Sequence, residues 1–259
     1  MAEESLTSDS ATGQQARFIV DLPQPGSWNM AVDEALMHVV GEDVTSSPVL
    51  RFYFWNEPTL SLGYFQKHEE RLGHSASREI AMVRRNSGGG AIVHHHELTY
   101  SLTIHQDHEL AKKTSDLYFQ MHQALVESLN DHGVSPSINE NLDADLESNF
   151  LCFQRCAPND VLLDGHKVCG SAQRKKFNAI SQHGSVIFQT STFAPEIIGI
   201  NEISGKKLEY QAFISTWKGR VSQRLGWDLA SSELSDAETI RAEEIQKVKF
   251  STVKWCLKR

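Results

Sequence analysis

The sequence predicts one α+β domain: a mixed β-sheet flanked by helices, with a helical C-terminal portion. Three observations point there. Short apolar runs with period-2 alternation recur through the first 190 residues, helical stretches fall between them, and the chain beyond residue 206 is mostly helical in pattern. With 259 residues, no internal repeat and no clear linker, the chain reads as a single domain over residues 17–259.

The elements follow in order. Residues 1–16 are polar and acidic, without the basic and apolar regions of a signal peptide or the arginines of a transit peptide. They read as a disordered leader and place the protein in the cytoplasm. Val32, Ala35, Leu36, Val39 and Val40 have helical spacing, with Ser27 as the expected cap and Asp33 and Glu34 early in the helix. Leu50, Phe52 and Phe54 alternate with Arg51, Tyr53 and Trp55, so this run is a strand, and residues 59–62 form another after the break at Pro58. Residues 80–83 are a short apolar run. Leu98, Tyr100, Leu102 and Ile104 then alternate with Thr99, Ser101 and Thr103, which predicts a half-buried strand. Leu117, Met121, Leu125 and Leu129 form one helical stripe over residues 114–132, stopped by Gly133. A loop rich in Asn, Asp and Ser covers residues 134–150. Asp164-Gly165 between two apolar runs is a hairpin turn that requires positive φ, and residues 178–188 give a further strand. Phe213, Trp217, Val221 and Leu225 mark a late helix by their i, i+4 spacing.

Bulk properties remove several classes of function. The net charge of −8 argues against a broad nucleic-acid surface. No apolar run approaches the roughly 20 residues that span a bilayer. The four cysteines read as free thiols in a reducing compartment. The 12 histidines show neither C-x-x-C nor H-E-x-x-H spacing, and His94, His95 and His96 on one strand would point to alternate faces, so no metal site is expected.

Two stretches carry chemistry. In "RRNSGGGAIVHHHELTYS", residues 84–101, Gly88, Gly89 and Gly90 let a ligand lie against backbone amides that can cradle an anion or oxyanion. A tight strand-to-strand turn would need glycine too. Arg84 and Arg85 put positive charge beside the loop, unless they are a solvated pair. One histidine, His94, is expected to reach the pocket behind it. In "DGHKVCGSAQRKK", Lys167 sits between His166 and Val168 in an apolar strand. Such a lysine has a lowered pKa or an anionic partner, or it snorkels to the sheet edge. Gly170 in mid-strand suggests a bulge or close ligand approach. Arg174, Lys175 and Lys176 make a compact basic cluster, or a solvated loop. Cys152 and Cys156 precede the hairpin, and a cysteine near a cation is a competent nucleophile. Spacing alone does not bring Lys167 to either.

These stretches resemble the biotin/lipoate–protein ligase superfamily, with "WNMAVDEAL" and "LSLGYFQ" matching its first helix and an early strand. The four motifs occur in the expected order and cover about residues 17–200. The resemblance implies a large mixed sheet flanked by helices, with acyl-chain binding by the glycine loop and its strands. It assigns substrate binding to Arg84, Ser87, Gly88, Gly89, Gly90 and His94, and to Gly170, Ser171 and Ala172 of the lysine strand. Lys167 would contact the activated carbonyl. Within the superfamily the chain is most similar to the cysteine-dependent octanoyltransferase (LipM-type) branch, which carries a Cys-Phe pair before the lysine hairpin together with "ELTYS" and "GSAQ"; here the pair is Cys152-Phe153. That branch moves octanoyl from acyl carrier protein, through a cysteine thioester, to a lysine of a lipoyl domain or glycine-cleavage H-type protein, without a cofactor. Lys167 would favour the thiolate as a cation and, if burial lowers its pKa, accept a proton as a neutral amine. Arg174, Lys175 and Lys176, with Arg84 or Arg85, would dock the acidic carrier. The alternatives are an ATP- and Mg-dependent lipoate–protein ligase and an octanoyl amidotransferase acting between lipoyl proteins. Two departures stand out. His94-His95 replaces the His-Asp common among relatives, and Gly90 stands where LipM-type members often carry Arg, which leans toward the ligases.

Overall fold

The computed structural model describes residues 13–141 and 149–259. The part of the expected leader at residues 1–12 and the part of the expected loop at residues 142–148 lie outside them. The strands are β1 (Gln14–Val20), β2 (Val49–Tyr53), β3 (Thr59–Leu62), β4 (Ala81–Arg84), β5 (Ile92–His94), β6 (Glu97–His105), β7 (Ser137–Ile138), β8 (Val161–Leu163), β9 (His166–Lys176), β10 (Ala179–Ile187) and β11 (Trp227–Ser231). The helices are α1 (Gly26–Glu42), α2 (Thr114–Asp131), α3 (Ile200–Ser204), α4 (Tyr210–Leu225), α5 (Asp236–Ile245) and α6 (Val253–Cys256). Eight strands form a mixed sheet in the order β11-β1-β2-β6-β10-β9-β8-β7, and β4-β3-β5 form a second, three-stranded sheet. The α+β expectation holds.

β6 is central, and its alternation has a different meaning from the one expected. All nine of its residues are buried. Leu98, Tyr100, Leu102 and Ile104 pack with Leu117, Met121 and Leu125 of α2 and with Phe213 and Trp217 of α4. The polar face does not meet water. It lies on α1, where Ser101 Oγ donates to Asp33 Oδ1 at 2.7 Å. The same carboxylate takes Arg51 Nη1 at 2.8 Å, and Asp21 takes Arg51 Nε at 2.6 Å, so a fully buried arginine is matched by two carboxylates. Such a pair balances its desolvation only with complete partners, and Asn29 supplies two more acceptors.

Two local expectations need correction. Ser27 is not the cap of α1: Pro25 holds that position and Ser27 lies in the first turn, where Gln246 Nε2 donates to its Oγ at 2.9 Å. Residues 14–16 are not leader, because β1 starts at Gln14 and pairs with β2 and β11 in parallel. The chain after residue 206 is mostly helical, as expected, with one strand inserted. Gly226, at φ 66°, ends α4, and Trp227 and Leu229 then bury alternately along β11. The 161–173 hairpin forms as expected: Asp164 and Gly165 have φ 48° and 81°, and Leu163 pairs with His166.

Candidate active site

The loop from β4 to β5 and the segment ahead of β8 are stitched into one wall. Ala91 N–H donates to Phe150 O at 2.8 Å and Cys152 N–H to Ala91 O at 2.8 Å, a parallel bridge between distant parts of the chain. Gly90 makes this approach possible. A Cβ there would stand 2.9 Å from Cys152 N and 3.0 Å from Phe150 O. Gly89 takes φ 92°, a conformation side chains disfavour. Arg85 fixes the loop from inside: its Nη2 donates to Gly88 O at 2.8 Å and Gly90 O at 2.6 Å, and its Nη1 to Ser61 O at 2.9 Å. Burial pulls this guanidinium down to about 10, against the charge of Cys152, which leaves it cationic at neutral pH.

Across the wall, the β8–β9 hairpin delivers Lys167. Its Nζ lies 3.8 Å from Cys152 Sγ, 3.4 Å from Arg155 O and 2.7 Å from Asp160 Oδ2. Asp160 also accepts from Tyr118 OH at 3.0 Å and from Ala157 N–H at 2.7 Å. Burial pushes Lys167 down, but the charges of Cys152 and Asp160 outweigh it, so the amine is held above the ordinary lysine range. A resting lysine of lowered pKa is therefore a wrong expectation; the buried amine has an anionic partner instead. The register irregularity of the hairpin lies between Val161 and Leu162 of β8 rather than at Gly170. Gly170 instead makes room, since a Cβ on it would stand 2.5 Å from Lys167 Cε and 3.0 Å from Asp160 Oδ1.

A cavity of about 270 Å³ opens between the two walls, lined by Arg85, Gly88, Gly89, Ile92, Cys152, Gly170, Ser171, Ala172, His183, Gly184 and Ser185. Ile92 is shared with an apolar crevice lined by Ala91, Val93, Leu151, Phe153, Ile187 and Ile197. Of the described cysteines, Cys152 lines the cavity. Burial pushes the Cys169 and Cys256 thiols up, which disfavours their thiolates.

Beneath the cavity runs a polar chain whose direction can be assigned. Burial pulls His122 down to about 4, so its ring is neutral at pH 7. Its Nδ1 lies 2.6 Å from Asn159 O and must donate, which leaves Nε2 as the acceptor for Ser171 Oγ at 2.6 Å. Ser171 Oγ then accepts from Tyr100 OH at 2.7 Å, and Tyr100 OH accepts from Gln182 Nε2 at 2.7 Å. The Ser171 hydroxyl proton is thus committed away from the cavity.

The structure gathers Cys152, Gly88, Gly89, Gly170, Ser171 and Ala172 at one cavity, with Gly90 directly behind Cys152 and Lys167 reaching Cys152 Sγ from behind Gly170. It does not bring Arg84 or His94 there. Arg84 is buried and donates to Gly63 O at 2.9 Å, Gln66 O at 2.7 Å and Cys256 O at 3.1 Å, so it ties the C-terminal segment to the β3 loop and is unavailable to substrate or partner. His94 stacks on Trp55 at 3.7 Å, accepts or donates at Ser61 Oγ at 2.7 Å and meets Glu97 through Nδ1, a structural role behind the small sheet. Ser87 is buried and bonds His183 Nε2 at 2.5 Å, positioning a residue that lines the cavity. His95 stacks on His96 and binds Ser191, away from His94. Arg174, Lys175 and Lys176 end a strand rather than form a loop, with Arg174 half-buried and both lysines exposed. Sequence reasoning missed Asp160, His122, Tyr118 and His183. Asp160 had one available signal: a buried lysine demands a carboxylate, and "NDV" immediately precedes the hairpin.

Residues 25–222 match the lipoyl protein ligase A/B catalytic domain, and the chain belongs to this family. Among curated relatives, an octanoyltransferase LipM from Oceanobacillus iheyensis is 37% identical over 260 residues, covering 90% of this chain and 94% of the relative. An octanoyltransferase LipM from Brevibacillus brevis is 29% identical, covering 95% and 100%. Among solved structures, a putative lipoate protein ligase from T. acidophilum with bound lipoic acid superposes with a TM-score of 0.78 at 21% identity, covering 94% of this chain and 99% of that one. A lipoate-protein ligase A bound with ATP gives a TM-score of 0.77 at 21% identity, covering 94% and 98%. These two show the shared fold.

Proposed function

We propose that the protein is an octanoyltransferase of protein lipoylation, which carries octanoyl as a thioester on Cys152 and passes it to a lysine of a lipoyl-bearing protein. The observation that carries the mechanism is the 3.8 Å approach of Lys167 Nζ to Cys152 Sγ, a sulfur on the cavity wall. The similarity to LipM octanoyltransferases over nearly the whole chain supports the activity.

The chemistry balances without a cofactor. The reactive form pairs a Cys152 thiolate with the Lys167 ammonium. The sulfur attacks the thioester carbonyl of octanoyl–acyl carrier protein, and amides of the glycine loop and the ammonium face the developing oxyanion. One such donor typically contributes about 3 kcal/mol. As the carrier sulfur leaves, it takes the Lys167 proton. Thioester is exchanged for thioester, so this half-reaction is nearly isoenergetic. Acylation also removes the Cys152 charge, the largest of the influences that hold Lys167 protonated. Lys167 therefore gives up its proton more readily once the sulfur is acylated. The acceptor amine attacks, its proton passes to Lys167, the Cys152 thiolate leaves and an amide forms. The neutral-base role thus belongs to the acyl-enzyme. Asp160 holds the amine in place in both states. The acyl chain is assigned to the cavity of about 270 Å³, where each buried methylene contributes about 0.8 kcal/mol.

The lipoyl domain or H-type protein is the proposed acceptor and the cytoplasm the proposed compartment; no described helix is long and apolar enough to cross a membrane. Gly90 gives no independent support to the ATP-dependent ligase, since the approach of the Cys152 backbone accounts for it here. The test is intact-protein mass spectrometry after mixing with octanoyl–acyl carrier protein without ATP. An octanoyl adduct on the wild type that disappears in Cys152→Ala is expected. Lipoylation activity that survives Cys152→Ala and requires ATP would replace this reading with the ligase. Acylation by an octanoylated H-type protein but not by the carrier would replace it with the amidotransferase.

A further inference from the structure

The chain is acidic overall, yet one face beside the cavity is basic. Its centre is Tyr64, in the loop after β3. Lys258 Nζ lies 3.4 Å from the Tyr64 ring centre and 3.8 Å from that of Trp255. The Arg259 guanidinium lies 5.4 Å from Tyr64 and 5.3 Å from Phe65, and that of Arg174 lies 5.5 Å from Tyr64. The hydrogen bond from Lys258, with the nearby charges of Arg259 and Arg174, pulls the Tyr64 phenol below its ordinary range. The segment that bears Lys258 and Arg259 is anchored: Trp255 Nε1 donates to Arg84 O at 2.8 Å, and His68 N–H to Arg259 O at 2.9 Å. Lys176, two residues beyond Arg174 on the same face of β9, adds an exposed positive charge at the strand end. Phe65 is 66% exposed, unusual for so large an apolar side chain, and it borders the cavity, because a Cβ on Gly88 would lie 3.6 Å from its ring.

We infer that Lys258, Arg259 and Arg174, grouped around Tyr64 and the exposed Phe65, form the docking surface for an acidic carrier protein that presents its acyl thioester on a flexible arm. The inference rests on the octanoyltransferase reading. Charge complementarity selects an acidic partner, and exposed Phe65 offers the aromatic contact typical of an interface centre. Position selects the donor over the acceptor. The cations sit around Tyr64 and Phe65 and not among the residues that line the cavity, an arrangement suited to an acyl group carried on a long pantetheine arm, whereas an acceptor lysine must bring its own protein directly over the cavity.

The test is single-turnover acylation of Cys152, followed by mass spectrometry, with two donors: octanoyl–acyl carrier protein and octanoyl-pantetheine. In Lys258→Glu/Arg259→Glu the rate constant for the carrier-bound donor is expected to fall at least roughly tenfold at low salt, while that for octanoyl-pantetheine stays within about twofold. The wild-type rate with carrier falls with added salt, and the variant's falls less. Arg259→Gln, a milder change at an exposed side chain, gives the same pattern at smaller amplitude and serves if the double variant does not fold. An unchanged carrier rate overturns the inference. So does an equal loss with both donors, which would make the segment a support for the cavity. A loss confined to transfer from acylated Cys152 to the lipoyl acceptor also overturns it, by assigning the face to the acceptor. Failure of the wild type to be acylated by either donor overturns the octanoyltransferase reading itself, and the carrier assignment with it.

Discussion

Lys167 is a cation because two anions outweigh its burial, and removing one of them has a definite sign. In Asp160→Asn the carboxylate charge is gone and burial weighs more, so the amine loses protons at lower pH. Adduct formation on Cys152 at pH 7 is expected to fall roughly tenfold or more, with the alkaline limb of its pH profile moved toward neutrality. A general loss of packing would leave that limb in place. The stability linkage runs the same way. A lysine raised in the folded state contributes stability that is complete below the ordinary lysine range and is lost as pH rises through the folded value. Urea melts between pH 8 and about 11 should therefore show a steeper alkaline decline in the wild type than in Asp160→Asn. This partnership was half legible in the sequence. Lys167 in an apolar strand demanded a counter-charge and Asp160 stands just ahead of β8, but no local pattern says that this carboxylate, and not another, meets the lysine. Arg84 and Arg85 show the opposite limit. Adjacent and chemically identical, they were indistinguishable as letters, and only packing sends Arg84 to the C-terminal segment and Arg85 to the glycine loop.

At the level of elements, two glycines act by leaving space. Gly90→Ala puts a methyl group 2.9 Å from Cys152 N, and Gly170→Ala puts one 2.5 Å from Lys167 Cε. The first is expected to push the Cys152 segment off Ala91, and the second to turn the lysine away from the sulfur. Both should slow formation of the octanoyl adduct at least roughly tenfold. The Gly170 variant should lose little in Tm, because it displaces a side-chain end, whereas Gly90→Ala meets backbone and should lower it more. Adduct kinetics and melting curves on the two proteins separate these effects. The Asp164-Gly165 hairpin, β3, α2 and the buried stripe of α4 were readable from periodicity and turn chemistry, which are local. β11 was not, because five residues after a helix carry too little pattern, and its strand character comes from pairing with β1. β6 was read as half-buried because its polar face looks solvent-bound until α1 supplies Asp33 to meet Ser101. The juxtaposition of Cys152 with the glycine loop lies beyond any local signal, since it depends on a bridge between residues 60 apart.

Across the whole molecule, acid should unfold the protein in a predictable window. Burial pulls His122 and His183 each to about 4. Between that value and the ordinary histidine pKa of about 6.5 the unfolded chain binds protons that the folded one refuses. Stability is therefore intact above pH 6.5 and declines as pH falls toward 4, by about 3 kcal/mol per histidine at the lower end. Thermal melts at pH 7 and pH 5 on the wild type and on His122→Gln should show a smaller drop in the variant. A last consequence follows from the parallel pairing of β1 with β11, whose registered residues include Gln15 and Asp228, 213 positions apart. That edge of β1 has no neighbour until β11, 213 positions later in register, has been synthesised. Until then it offers unpaired amides and carbonyls to any other nascent chain. Expression yield should therefore depend on translation speed and chaperone supply more than the finished molecule's equilibrium stability would suggest.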